Sequence, residues 1–185
     1  MTILQKALTV IAPAVLLTST SHAILINGGF ESGLTGWTTS GADSAAATAG
    51  AHSGSFAFQG FDNSGFATLS QSFATTTGAV YDFSFFSRIP VIHPGNILRY
   101  QFNGGPIVTV PTTTTYTQTI GGFTALGSTS VLNFYFETDP GTSAWLIDDV
   151  TVTLASSPVP DGGSSIALLG LAMTAAAGFR RKFGI

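Results

Sequence analysis

Cysteine is absent from the 185 residues. No disulfide can brace the chain, and thiol nucleophiles and cysteine zinc sites are excluded. Charge is scarce, with 6 Lys and Arg against 9 Asp and Glu. Between residues 24 and 157 only Arg88 and Arg99 are basic. They face the acids Glu31, Asp43, Asp62, Asp82, Glu137, Asp139, Asp148 and Asp149, so eight minus two leaves a net charge of −6. That balance excludes electrostatic binding of nucleic acid or an anionic membrane surface, and it suits cations. No phosphate-cradling glycine loop, HExxH pair or ordered Ser-His-Asp set occurs. The segment also lacks sustained helical periodicity.

Long apolar runs are confined to the two ends. Residues 1–23 carry Lys6, an apolar stretch over 7–17 and a polar stretch ending Ser21-His22-Ala23. This is the layout of a secretory signal peptide cut after Ala23. At the other end Val159, Pro160, Asp161, Gly162 and Gly163 precede an apolar run over 164–179, followed by Arg180, Arg181 and Lys182. The run has about 16 residues, short of the roughly 20 that span a bilayer comfortably. The basic cluster behind it predicts a cytoplasmic end and leaves everything before Val159 outside. An ordinary tail anchor is the plain alternative to a processing address. The tripartite tail resembles the PEP-CTERM class of sorting signals, most closely its VPDSG variant, with Gly162 where that variant has Ser. The resemblance implies a transmembrane sorting helix within 158–185 and an exosortase-like membrane protease or transpeptidase as partner. The chain is then held in the membrane by this helix before it reaches the cell surface or the extracellular space.

What remains, residues 24–157, suits one domain with its own core. Phe, Thr, Val and Tyr alternate there with polar residues, and Gly and Ser punctuate the pattern about every ten residues. Residues 80–88 put Tyr81, Phe83 and Phe85 on one face. Residues 97–102 do the same with Leu98, Tyr100 and Phe102, and residues 131–137 with Leu132, Phe134 and Phe136. Over 145–154, Leu146, Asp148, Val150, Val152 and Leu154 alternate against Ile147, Asp149, Thr151 and Thr153. Shorter candidates are 25–27, 55–59, 67–73, 107–110 and 116–120. Residues 42–51 read as a small-residue loop and 111–115 as a threonine-rich turn. Eight or nine short strands predict an all-β chain folded as an antiparallel jelly-roll β-sandwich.

Several fragments, in order, resemble carbohydrate-binding-module jelly rolls related to families 4, 9 and 22. They are ILINGGFESGLTGWT at 24–38, HSGSFA at 52–57, LSQ at 69–71, GAVYDFSF at 78–85 and WLIDDVTV at 145–152. The resemblance covers nearly the whole domain and supports the sandwich more strongly than any activity.

Asp148 stands out before any family is invoked, because alternation places a carboxylate among core residues. Such a group is neutralised, paired, hydrogen-bonded or metal-bound. Calcium accepts carboxylates together with backbone carbonyls. The related modules hold a structural calcium through the Glu of the first strand motif and the Asp of the last. That implies Glu31 and Asp148, with backbone carbonyls from Asn27 and Ser53, in the stretches 27–29 and 53–54, as lesser candidates. The alternative is an Asp148 that is protonated or that caps backbone amides. Asp149 is expected on the opposite face.

A sugar-binding face needs exposed aromatics and polar side chains together. Tyr135, Asn133 and Glu137 share one outward face, and Arg99, Gln101 and Asp82 are the expected neighbours. Trp37 and Trp145 are alternatives, although Trp37 fits a core-sealing role better. His52 reads as part of a structural turn and His93 as a loop residue. Glu137 and Asp139, two residues apart, make a poor acid–base pair for a glycoside hydrolase. Two non-catalytic functions therefore stand, a polysaccharide-binding module and a structural or adhesive matrix protein, with a hydrolase far behind.

Overall fold

The computed structural model describes residues 25–140 and 143–155. The signal-peptide and sorting-tail readings fall outside them. Among the described residues there are ten strands, no helix, and therefore no helix able to cross a membrane. In chain order they are β1 (Thr38–Ser40), β2 (Ser44–Thr48), β3 (Ala57–Phe61), β4 (Ala67–Ala74) and β5 (Val80–Arg88). These are followed by β6 (Ile97–Phe102), β7 (Val108–Val110), β8 (Thr117–Thr124), β9 (Thr129–Glu137) and β10 (Trp145–Leu154).

They form two five-stranded sheets with every recorded pair antiparallel. Sheet A runs β1-β4-β9-β6-β7 and sheet B runs β2-β3-β10-β5-β8. Apart from the hairpins β2–β3 and β6–β7, chain neighbours change sheets, as in a jelly roll. The core lies between the inner faces and is built largely from aromatics. Phe83, Phe85, Phe134 and Phe136 meet Phe30, Trp37, Phe58 and Trp145, all buried. Alternation explains why: each of these strands turns one row of large apolar side chains inward and leaves a polar row outside. Trp37 does seal the core, its Nε1 donating to the Asn27 carbonyl at 3.0 Å. Trp145 is fully buried and so belongs to the core, not to a sugar platform.

Three local expectations change. Residues 25–27 form a bend and turn because Asn27 sits at φ 53 and cannot continue a strand. The stretch 42–51 contains β2, whose weak Ser/Ala propensity is overridden by pairing along all five residues with β3. β10 carries a bulge, with Asp149 and Val150 facing the single Phe85 position, and Asp149 takes φ 49. The extra residue inverts the phase of everything before it. Ile147, expected outside, is in the core, whereas Leu146 is buried apart from it. Asp148 lies on the outer face of sheet B, paired in register with Phe86. Leu154 is half exposed at the strand end instead of buried.

Candidate functional site

Asp148 is fully buried although it points away from the core. The turn at 52–56 roofs it. Its Oδ2 accepts the backbone N–H groups of His52 (2.8 Å) and Ser53 (3.1 Å), and its Oδ1 accepts that of Asp149 (2.7 Å). Burial pushes its carboxyl above the usual range, and the three amides pull against that shift. Asp149, expected on the opposite face, turns to the same roof because of the bulge. It accepts Ser53 Oγ at 2.5 Å and bonds His52 Nδ1 at 2.7 Å. The His52 ring then stacks on Phe86 with centroids 3.6 Å apart. His52 is a turn residue, as expected.

Glu31 grips the far end of the same turn, its Oε1 accepting the N–H groups of Ser55 (2.7 Å) and Phe56 (2.9 Å). Three of the four residues named for a metal, Glu31, Asp148 and Ser53, therefore converge on one turn. The Asn27 carbonyl, expected as a lesser metal ligand, accepts Trp37 Nε1 at 3.0 Å and the Phe30 N–H at 3.1 Å, and its side chain is bound locally. Its amide nitrogen donates to the carbonyls of Gly33 and Thr35, and its Oδ1 accepts Ser32 N–H. One glycine here is closely confined and a second lies in ordinary contact distance of the carboxylates. A Cβ on Gly54 would strike the Glu31 carboxylate, and one on Gly29 would lie 3.9 Å from Asp148 Oδ1 and 3.8 Å from Asp149 Oδ1. Among the described residues no three His, Cys, Asp or Glu side chains converge as a metal cluster. A bound ion would need backbone carbonyls in addition to the carboxylates.

The second constellation is the outer face of sheet A. Register aligns Thr68, Tyr135, Arg99 and Thr109 in one row across four strands, and Ser70, Asn133 and Gln101 in the next. The four residues expected to bind a ligand, Tyr135, Asn133, Arg99 and Gln101, are thus neighbours. Tyr135 Oη donates to Gln101 Oε1 at 2.8 Å, while Gln101 Nε2 donates to the Gly105 carbonyl at 2.7 Å. Asp82 does not join them, because β5 belongs to sheet B.

Phe66 was missed by sequence reading. It is exposed, and the Arg99 guanidinium sits 4.5 Å above its ring. It precedes the first residue of β4, yet it shares parity with Thr68 and Ser70, and that alternation was its one signal. The face therefore has two aromatics, with hydrogen bonding holding Tyr135 and Gln101 in place and cation–π stacking holding Arg99. Glu137 lies on β9 opposite Ile97. His93 Nδ1 bonds Asp139 Oδ2, so Asp139 is committed to the loop before β6 and does not pair across a cleft with Glu137.

The Gly95 N–H, followed by His93, holds the Asp139 carboxyl below its usual range. A depressed acid stabilises the fold above its unfolded pKa and loses that contribution as pH falls through the folded value. The wild-type melting midpoint should therefore drop as pH falls below about 4. Asp139→Asn, which lacks the contribution at every pH, should show a shallower acid limb in pH-dependent melts.

Residues 158–183 match the VPDSG-CTERM motif, a sorting signal of exported, surface-directed proteins. No curated protein matches the chain in sequence. Among solved structures, the module TmCBM61 in complex with β-1,4-galactotriose superimposes with a TM-score of 0.58 at 23% identity, covering 73% of this chain and 100% of its own. The CBM22-1 xylan-binding domain of Paenibacillus barcinonensis Xyn10C gives 0.55 at 19% identity, covering 76% and 99%. The N-terminal cellulose-binding domain of Cellulomonas fimi β-1,4-glucanase C gives 0.50 at 18% identity, covering 74% and 99%. The chain joins a VPDSG-CTERM sorting motif to a β-sandwich with the fold of carbohydrate-binding modules.

Proposed function

We propose that this exported chain is a non-catalytic polysaccharide-binding protein of the cell surface, and that the outer face of sheet A is its binding surface. The observation that carries this reading is the contiguous patch of Phe66, Arg99, Gln101, Asn133 and Tyr135. It combines apolar ring faces with fixed donors and acceptors, the pairing a pyranose needs. The structural neighbours include a module in complex with β-1,4-galactotriose, a xylan-binding domain and a cellulose-binding domain, which supports neutral β-linked glycans as the first class to try. Saturable signal on a glycan array, lost in Tyr135→Ala, is the expected result. Uniform silence would favour the structural or adhesive reading.

Calcium at the turn 52–56 belongs to the same proposal as a structural ion. Its donors are hard oxygens from Glu31 and Asp148, helped by backbone carbonyls of the turn. Bound there, it would neutralise a buried carboxylate and tie the first motif to the last strand.

Processing by an exosortase-like enzyme near Pro160-Asp161 is the proposed route to the surface. Changing Pro160 and Asp161 both to Ala should leave full-length protein in the membrane fraction on immunoblots. Normal processing of that variant would sink the sorting reading.

A further inference from the structure

We propose that the free edge of β8 pairs with the same edge of a second copy of this chain. β8 ends sheet B and is eight residues long, whereas the other outer strands β1, β7 and β2 have three, three and five. Among the described residues only β5 pairs with it, leaving one side of its backbone without a strand. Edges of this kind are normally blunted by charge, proline or a bulge. β8 has none: its sequence is TQTIGGFT, its register with β5 is unbroken, and residues 100–136 contain no Asp, Glu, Lys or Arg.

Its surroundings are apolar. Ile120 is 72% exposed and Leu126 78%; Val80, paired with Thr124, and Val108, which shares a cavity lining with Leu126, are exposed as well. A cavity of about 350 Å³ opens at this edge, lined by Tyr100, Phe102, Val108, Phe123 and Leu126. Charge selects the partner. The domain carries −6, so contacts over its acidic surfaces bring like charges together, whereas β8 itself has no charged residue; the charges of the neighbouring strand β5, Asp82 and Arg88, sit one strand inward. A two-fold axis passing at Ile120, close to the middle of the strand, lets the two backbones pair and sets the two Ile120 side chains opposite each other. The interface is small, so association should depend on concentration. Each dimer would present two sheet A faces. That consequence rests on the polysaccharide reading, but the pairing does not.

Because the chain lacks cysteine, Ile120→Cys introduces its only thiol. Opposed residues of an antiparallel pair lie about 4.5–5.5 Å apart at Cα, within disulfide range. Under mild oxidation in detergent, the full chain with Ile120→Cys should give a reducible species of doubled mass. Its yield should be about tenfold above that of Asn63→Cys, in the β3–β4 loop. Association through the apolar tail would cross-link both thiols alike. Gln118→Cys, on the same outer row, is a second probe should Ile120→Cys melt early. Ile120→Lys, which puts a charge on the edge, should raise the concentration needed for dimers about tenfold in sedimentation. Equal cross-linking at 120, 118 and 63, or a wild-type chain that stays monomeric at every concentration, would overturn the pairing. No glycan is present in either measurement, so failure here is separate from failure of sugar binding.

Discussion

Replacing Asp148 by Ala should cost about 3 kcal/mol or more, because it strips the acceptor from three backbone N–H groups held under one roof. For a domain of this size that corresponds to roughly 10 °C in melting midpoint. The calcium reading adds a second signature. A ligand that binds only the folded state raises the midpoint by mass action, so wild type should melt higher in calcium than in EDTA. In Asp148→Ala the two curves should coincide. Asp149→Ala should also destabilise, though less, since it gives up only the contacts to His52 and Ser53. Coincident wild-type curves at saturating calcium would mean that the amides alone satisfy the buried carboxylate.

Phe134→Ala should cost about 3–5 kcal/mol, the range for emptying an aromatic site in a packed core. The ring is fully buried and lies 4.9 Å from Phe85, 6.3 Å from Trp37 and 6.4 Å from Phe83 between centroids. These neighbours come from β5 of the opposite sheet and from the segment before β1, so the cavity could not close by moving one strand. Leu126→Ala, largely exposed, should change stability by less than about 0.5 kcal/mol. Denaturant melts of the two variants side by side separate a core position from an edge position. A Phe134→Ala midpoint close to wild type would contradict the arrangement of the core.

Strand positions were legible where large apolar residues alternate cleanly. β5, β6 and β10 match the expected ranges 80–88, 97–102 and 145–154 end to end. β2 was hidden because Ser and Ala have little strand preference of their own, so its partner decides its conformation. Residues 25–27 looked like strand because Leu25 and Ile26 favour it, but Asn27, a residue type that readily adopts positive φ, takes φ 53 and turns the chain instead. The bulge in β10 was the costliest omission. Period-two counting holds from Val150 onward and fails before it, since one added residue exchanges the faces. Asp tolerates the left-handed region better than most residues, and Asp149 is where the extra position went. Asp148 is buried as expected, but by the loop at 52–56 and not by the core. The grouping of Glu31, Ser53 and Asp148 came from motif resemblance and could not have come from spacing, because their separations along the chain span most of the domain. On sheet A, alternation alone grouped Tyr135, Asn133, Arg99 and Gln101; Phe66 escaped because it stands just outside its strand.

The polysaccharide face is tested most directly by affinity electrophoresis of the folded chain through gels containing soluble polysaccharides, with Tyr135→Ala and Phe66→Ala run beside it. Wild type should be retarded in at least one gel, and each variant should lose about 1–3 kcal/mol of binding, roughly tenfold or more in affinity, through loss of a stacking ring. The Ser84→Ala control, on the outer face of sheet B, should migrate like wild type. Retardation that survives both ring removals would contradict the assignment of the binding face to sheet A.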